Sequence, residues 1–206
     1  MAGFAAFAAA ASVGAMIDWT VRQTICGLDE LDSLAGAGVT HLLSILDPQQ
    51  PEPASFNAAP PTRRLTLRFH DVILPLPGMV MPTRDDMSAL LEFGRALPER
   101  DPAHLLIHCH LGISRSTAAM VAVIAQAHPD AGEDEIVTQV ESARGKAWPN
   151  SLMIRHADSM LGRQGRLVAA VGRLYRRQLE RHPQFAEPLR QGGRVAEVEM
   201  AEAAES

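Results

Sequence analysis

The chain has 206 residues, which at roughly 150 residues per domain is one domain with room for extensions. Its composition is 47% hydrophobic, enough to build a proper core, and its formal net charge of −5 argues against a general nucleic-acid binder. Two cysteines, Cys26 and Cys109, exclude a disulfide framework and fit a reducing cytosol.

Residues 1–15 form an alanine-rich apolar run with Phe4 and Phe7 and no lysine or arginine ahead of it. The run is too short to span a bilayer and lacks the basic flank of a signal peptide, so it reads as a loosely ordered extension with Met16 as an alternative start. A first strand is predicted over 20–26, a short helix over 29–37 closed by Gly36 and Gly38, and a second strand over 39–46 stopped by Pro48. Cys26, in the first strand, reads as a core residue; a protective disulfide with Cys109 is the alternative. Proline and alanine dominate 49–61, a surface loop. Over 63–69 the chain alternates, placing Leu65, Leu67 and Phe69 on one face of a third strand that ends at His70-Asp71.

Residues 72–82 carry three prolines, a glycine and several apolar side chains, a composition suited to a loop that covers something. Thr83 and Asp86 then read as a capping box opening a helix whose apolar face holds Met87, Leu90, Leu91, Gly94 and Leu97. A buried strand over 105–108, a tight loop and an apolar helix ending near His128-Pro129 follow. Further helices are predicted over 133–143, 151–161 and 166–181, the last with Leu167, Val168, Val171, Leu174 and Tyr175 on one stripe. Residues 151–194 carry nine arginines against three acids; this reads as a solvated helix face, with a docking surface for an acidic partner or a polyanionic substrate as the alternative. The domain is bounded at 16–181, and residues 182–206 read as a polar, disordered tail.

The chemistry concentrates in the loop between the buried strand and its helix. A loop closing onto a helix start points several unpaired N–H groups into one small space, and the helix dipole adds positive potential, so anions collect there. Cys109 enters this field from the strand; thiols so placed ionise at neutral pH, and Cys109 reads as a nucleophile. Arg115 leaves the loop on the helix, where its planar fork can hold two phosphate oxygens. Gly112 permits positive φ and close approach of backbone to a ligand, Ser114 can cap the helix, and Ser116 can stabilise the sulfur when it leaves phosphorus.

Strand alternation sends His108 and His110 one way and Cys109 the other, which makes a metal site assembled from them with His70 and Asp71 awkward. His108 reads instead as a residue that orders the loop and favours the thiolate, and His110 as an outward-facing contact to substrate. The leaving oxygen needs a proton and the second step needs an activated water; one carboxyl can serve both. Upstream candidates are Asp71, Asp85 and Asp86. The last two have a structural job in the first turn of their helix, whereas Asp71 stands at a strand end on the edge of the sheet where α/β sites lie.

The segment His-Cys-x-x-Gly-x-x-Arg-Ser, from His108 to Ser116, resembles the signature of the cysteine-based protein phosphatases, and Gly-Ile-Ser-Arg-Ser-Thr is most similar to the dual-specificity/tyrosine branch and its bacterial relatives. Leu111 departs from that branch, which has a small residue before the glycine. The resemblance implies an α/β domain with a mostly parallel central sheet flanked by helices. It further implies a phosphoric monoester hydrolase without metal or organic cofactor: Cys109 attacks phosphorus and Asp71 is the acid, as the family takes its acid from a loop before the signature. His110, Leu111, Gly112, Ile113, Ser114 and Arg115 line the substrate site. Phosphorylated protein is the expected substrate and inorganic phosphate the product, in the cytoplasm; the oligomeric state is not legible. The single lysine, Lys146, argues against the lysine-rich loop of phosphatases acting on 3-phosphorylated inositol lipids. Phosphoinositides and RNA 5′-phosphates remain open as substrates. Two other classes stay open beside the enzyme: a phosphate-binding pseudophosphatase or adaptor, and a rhodanese-like sulfur transferase.

Overall fold

The computed structural model describes residues 17–57, 60–61, 63–98 and 102–204; the expected extension over 1–15 and the alternative start at Met16 lie outside them. Four strands, β1 (Val21–Cys26), β2 (His41–Leu46), β3 (Arg63–Arg68) and β4 (Ala103–His108), form one parallel sheet in the order β1-β4-β2-β3. The sheet is flanked by eight α-helices among the described residues: α1 (Leu31–Leu34), α2 (Arg84–Arg95), α3 (Arg115–Ala127), α4 (Glu133–Ala143), α5 (Ser151–Met160), α6 (Arg166–Arg181), α7 (Ala186–Gln191) and α8 (Val195–Ala203).

Parallel strands covered on both faces are apolar on both, and β2 and β4 are buried at every position. Alternation along β4 sends Leu105 and Ile107, with Cys109 just beyond, into the large core under the helices. Leu106 joins the smaller core of Cys26, Leu31, Leu42 and Phe56 on the other face. Since all four strands run the same way, their carboxyl ends open on one edge, and registry sets Cys26, Ser44 and His108 side by side there.

Helix α3 is buried on every side from Arg115 to Ala125. A helix apolar all round belongs in the interior. Its carboxyl end is fastened by Arg163, whose guanidinium donates to the carbonyls of Ala125 at 2.6 Å and His128 at 3.0 Å, a favourable place for a cation. The arginines of α6 are spent internally: Arg173 pairs with Asp134, and Arg177 and Arg181 with Glu141, all across to α4. The docking surface considered from the sequence therefore meets its acids within the same chain.

The described part of 182–206 is ordered structure, contrary to the tail expected there. Helix α8 packs on α6, with Val198 and Ala201 buried. The reason the sequence reads as polar is Glu197, which shares that buried face and is fully enclosed.

Candidate active site

Residues 109–114 join β4 to α3, and the loop is shaped by what holds its carbonyls. The carbonyl of His110 accepts from the Leu28 amide at 2.9 Å, that of Leu111 from Arg144 Nη2 at 2.9 Å, that of Ile113 from the Trp148 amide at 2.9 Å and that of Ser114 from the Asn150 amide at 3.2 Å. The single Thr117 hydroxyl hydrogen adds a donor shared between the carbonyls of Ile113 and Ser114. In a trans peptide the N–H points opposite to the C=O, and none of the described peptides is cis. Carbonyls drawn outward therefore turn the amides of Leu111, Gly112, Ser114 and Arg115 to the inner side of the loop. Among the described residues, nothing accepts from the amides of 110–114.

Gly112 has φ +70, and a Cβ there would meet the Cys26 carbonyl carbon at 2.5 Å and the Gly27 nitrogen at 2.7 Å. The close approach expected of this glycine is thus to the end of β1 rather than to a ligand. Cys109 Sγ lies 3.2 Å from Ser116 Oγ, so the hydroxyl can donate to the sulfur. Arg115 is 3% exposed and donates through Nη1 to Asp47 Oδ1 at 2.6 Å and to the Phe69 carbonyl at 2.7 Å. Its Nε is buried with no partner. An unsatisfied buried donor costs about 1–3 kcal/mol, and this one belongs to a residue that lines a cleft.

The carboxyl edge of the sheet is cut by a cleft of about 430 Å³. Its walls bring together Cys109, His110, Leu111, Ile113, Ser114 and Arg115 from the loop, with Asp47, Asp71 and Arg194 from elsewhere in the chain. Asp71 Oδ1 accepts from Ser114 Oγ at 2.8 Å and Asn150 Nδ2 at 2.9 Å, and forms an ion pair with Arg194 Nη1 at 3.0 Å. Burial pushes the Asp71 carboxyl up, but Arg194, Asn150, Arg115 and Ser114 outweigh it and hold it below the usual carboxylate range. Asp86, by contrast, accepts from Thr83 N and Oγ1 in the capping box, and neither it nor Asp85 lines the cleft.

Two expected roles differ in detail. Ser114 stands at the N-cap of α3 without capping it, because its hydroxyl is committed to Asp71. His108 turns to the opposite face of β4, where Nε2 meets Ser44 Oγ at 2.8 Å and steadies the sheet edge behind the loop. Burial pulls its imidazole down to about 4, only partly offset by the neighbouring Cys109 backbone, so the ring is neutral at pH 7. His70 Nδ1 accepts from the Val80 amide at 2.8 Å and its own amide donates to the Val80 carbonyl, which fastens the two ends of the 71–79 loop together. With these histidines pointing apart, no group of three or more metal-ligating side chains gathers among the described residues.

Sequence reasoning missed Asp47, Arg194 and Glu197. Asp47 could have been found by the argument that found Asp71, since it too follows a strand onto the carboxyl edge. Arg194 Nε and Nη2 bind Glu197 at 2.6 and 2.9 Å; Glu197 also accepts from Trp148 Nε1 at 2.6 Å and the Ser151 amide at 2.8 Å.

No protein-family model matches the chain, and no curated protein matches it in sequence. Solved structures do match. A variant of human DUSP28 shares 22% identity over 72% of this chain and 96% of its own, with a TM-score of 0.50. The structure described as Tk-PTP in the active form shares 18% over 72% of this chain and 95% of its own, also with a TM-score of 0.50. These likenesses establish a tyrosine-phosphatase-like fold, the α/β architecture expected from the sequence; the expected bacterial type finds no support among them.

Proposed function

We propose that the protein hydrolyses phosphate monoesters through a phosphocysteine intermediate, with phosphorylated protein as substrate and inorganic phosphate as product. The observation that carries this reading is a set of unpartnered donors on the loop and helix start that line one cleft with Cys109: the amides of the 110–114 loop and the buried Arg115 Nε. Such preorganised donors bind a phosphoryl group and stabilise the charge that builds on its equatorial oxygens.

In the first step the Cys109 sulfur attacks phosphorus, the P–O bond to the leaving group breaks, and Asp71 gives its proton to the departing oxygen. In the second, Asp71 takes a proton from water as the water oxygen attacks phosphorus and the S–P bond breaks; Ser116 Oγ, 3.2 Å from the sulfur, donates to the thiolate released. His110, Leu111 and Ile113 stand at the mouth, where they contact what lies beyond the phosphate. Asp71 bonded to Ser114 within the loop favours an enzyme over a phosphate-binding adaptor. No described helix is long and apolar enough to cross a membrane, and both thiols are free, which suits a reducing cytoplasm.

Burst release of phenolate from an aryl phosphate tests the reading. A burst of one equivalent, blocked by vanadate and absent in Cys109→Ser, is expected. Tight phosphate binding without turnover would leave the adaptor instead.

A further inference from the structure

We infer that Arg194 is a positioning residue for Asp71: anchored on Glu197, it fixes the carboxyl through Oδ1 and leaves Oδ2 as the oxygen that carries the proton. This rests on the reading of Asp71 as proton donor.

Geometry assigns the two oxygens different work. Ser114 and Asn150 both donate to Oδ1, the Arg194 ion pair also falls on Oδ1, and no described residue donates to Oδ2. A carboxyl so held has one oxygen that cannot comfortably take a proton and one that can. The proton leaves Oδ2 for the ester oxygen as the P–O bond breaks, and returns to Oδ2 from water in the second step.

Arg194 is suited to this hold because it is itself immobilised. Its side chain is 12% exposed and engages Glu197 with two nitrogens, while Nη2 also donates to Ser114 Oγ at 2.9 Å. A planar fork pinned on a carboxylate is held in one orientation, and that orientation keeps Nη1 3.0 Å from Asp71 Oδ1 as an ion pair. Glu197 is in turn fixed by the indole of Trp148 and the Ser151 amide, so the line of contacts runs from the interior of α8 to the cleft. A buried ion pair gains little stability over an apolar pair of the same size, so stability alone is a weak reason for it.

The pH dependence follows from the charges facing Asp71. These are Arg194 beside it, Arg115 from α3, and His70 next to it in the chain, with Glu197 and Tyr175 behind Arg194. Withdrawing Arg194 removes a cation that favours the carboxylate, so Asp71 keeps its proton to higher pH.

The test compares phenyl phosphate, a poor leaving group, with p-nitrophenyl phosphate, a good one, across pH. The variants are Asp71→Asn, Arg194→Lys and the double variant Arg194→Met with Glu197→Gln, which avoids stranding a buried carboxylate. The double variant is expected to lose about tenfold in kcat/KM on phenyl phosphate and much less on p-nitrophenyl phosphate, with its alkaline limb displaced to higher pH. Equal losses on both substrates, or an unmoved limb, would reduce Arg194 to a structural residue. If the double variant fails to fold, Arg194→Lys decides: an ammonium keeps the charge without the fork, so phenyl phosphate falls about threefold with the limb in place, and unchanged kinetics overturn the inference. Unimpaired phenyl phosphate turnover in Asp71→Asn would instead remove the acid assignment itself, whatever Arg194 does.

Discussion

Two turns on the same edge of the sheet begin with a cysteine and end differently. After β1, Cys26 is followed by Gly27, whose amide donates to Glu30 Oε2 at 2.7 Å; the protein's own carboxylate fills the place where an anion would sit. After β4, the amides of 110–114 and Arg115 Nε are left without acceptors. Both cysteines are buried, at 1% and 2% exposure, so burial does not separate them. Burial first, and then Glu30, push the Cys26 thiol up to about 12, which keeps it protonated and unreactive. The difference teaches that what sets the proposed nucleophile apart from the core residue is the donors left free after the strand rather than the strand.

The largest effect that sharpens this contrast is a pair of substitutions. Cys109→Ser is expected to lower kcat by on the order of 10⁴-fold or more, while Cys26→Ala keeps turnover within about twofold and costs roughly 1–2 kcal/mol in urea unfolding. Comparable losses from both would erase the distinction. Iodoacetamide at pH 7 should accordingly label Cys109 in the native protein and leave Cys26 unmodified.

His108 stands opposite Cys26 in the sheet and gives the next effect. Its folded pKa of about 4 is depressed from the unfolded value near 6.5, so the unfolded chain binds the proton first. The stability is present above pH 6.5 and is lost as pH falls from there to about 4, by roughly 3 kcal/mol at most. Urea midpoints at pH 7 and pH 4.5 measure it, and His108→Phe should flatten the slope; an equal slope in the variant would place the titration elsewhere.

Gly112→Ala comes after, because the β4 loop rests on the β1 turn at that residue. A left-handed backbone costs about 1–2 kcal/mol for alanine before the contact with Cys26 is counted. Thermal unfolding should register the loss, together with a rise in KM. The smallest change is expected at Glu30→Gln. The Glu30–Arg144 pair is partly exposed, so no more than about 1 kcal/mol is lost and kcat stays within about twofold. A tenfold fall in kcat would mean that Arg144, through the Leu111 carbonyl, governs the loop far more strongly than an exposed pair should.

What the sequence disclosed follows the reach of its signals. The spacing from His108 to Ser116 names the loop because every contributing residue is local, and alternation in 63–69 with the break at His70 delivers Asp71 to the right edge. Helix boundaries over 133–143 and 166–181 were legible for the same reason. Contacts between distant segments were not. Arg194 reaches Asp71 across more than a hundred residues, and α8 hides its buried face by placing Glu197 beside Val198. A charged residue satisfied by an indole, an amide and a guanidinium has the composition of a surface and the environment of a core.

Mapping the phosphoryl group is the sharpest single measurement. Asp71→Asn protein mixed with p-nitrophenyl phosphate and quenched in acid should carry one phosphoryl group, on the peptide containing Cys109, and none when Cys109 is also changed to serine. Turnover with no phosphorylated Cys109, or a phosphoryl group on another residue, would contradict the assignment of this loop as the reacting centre.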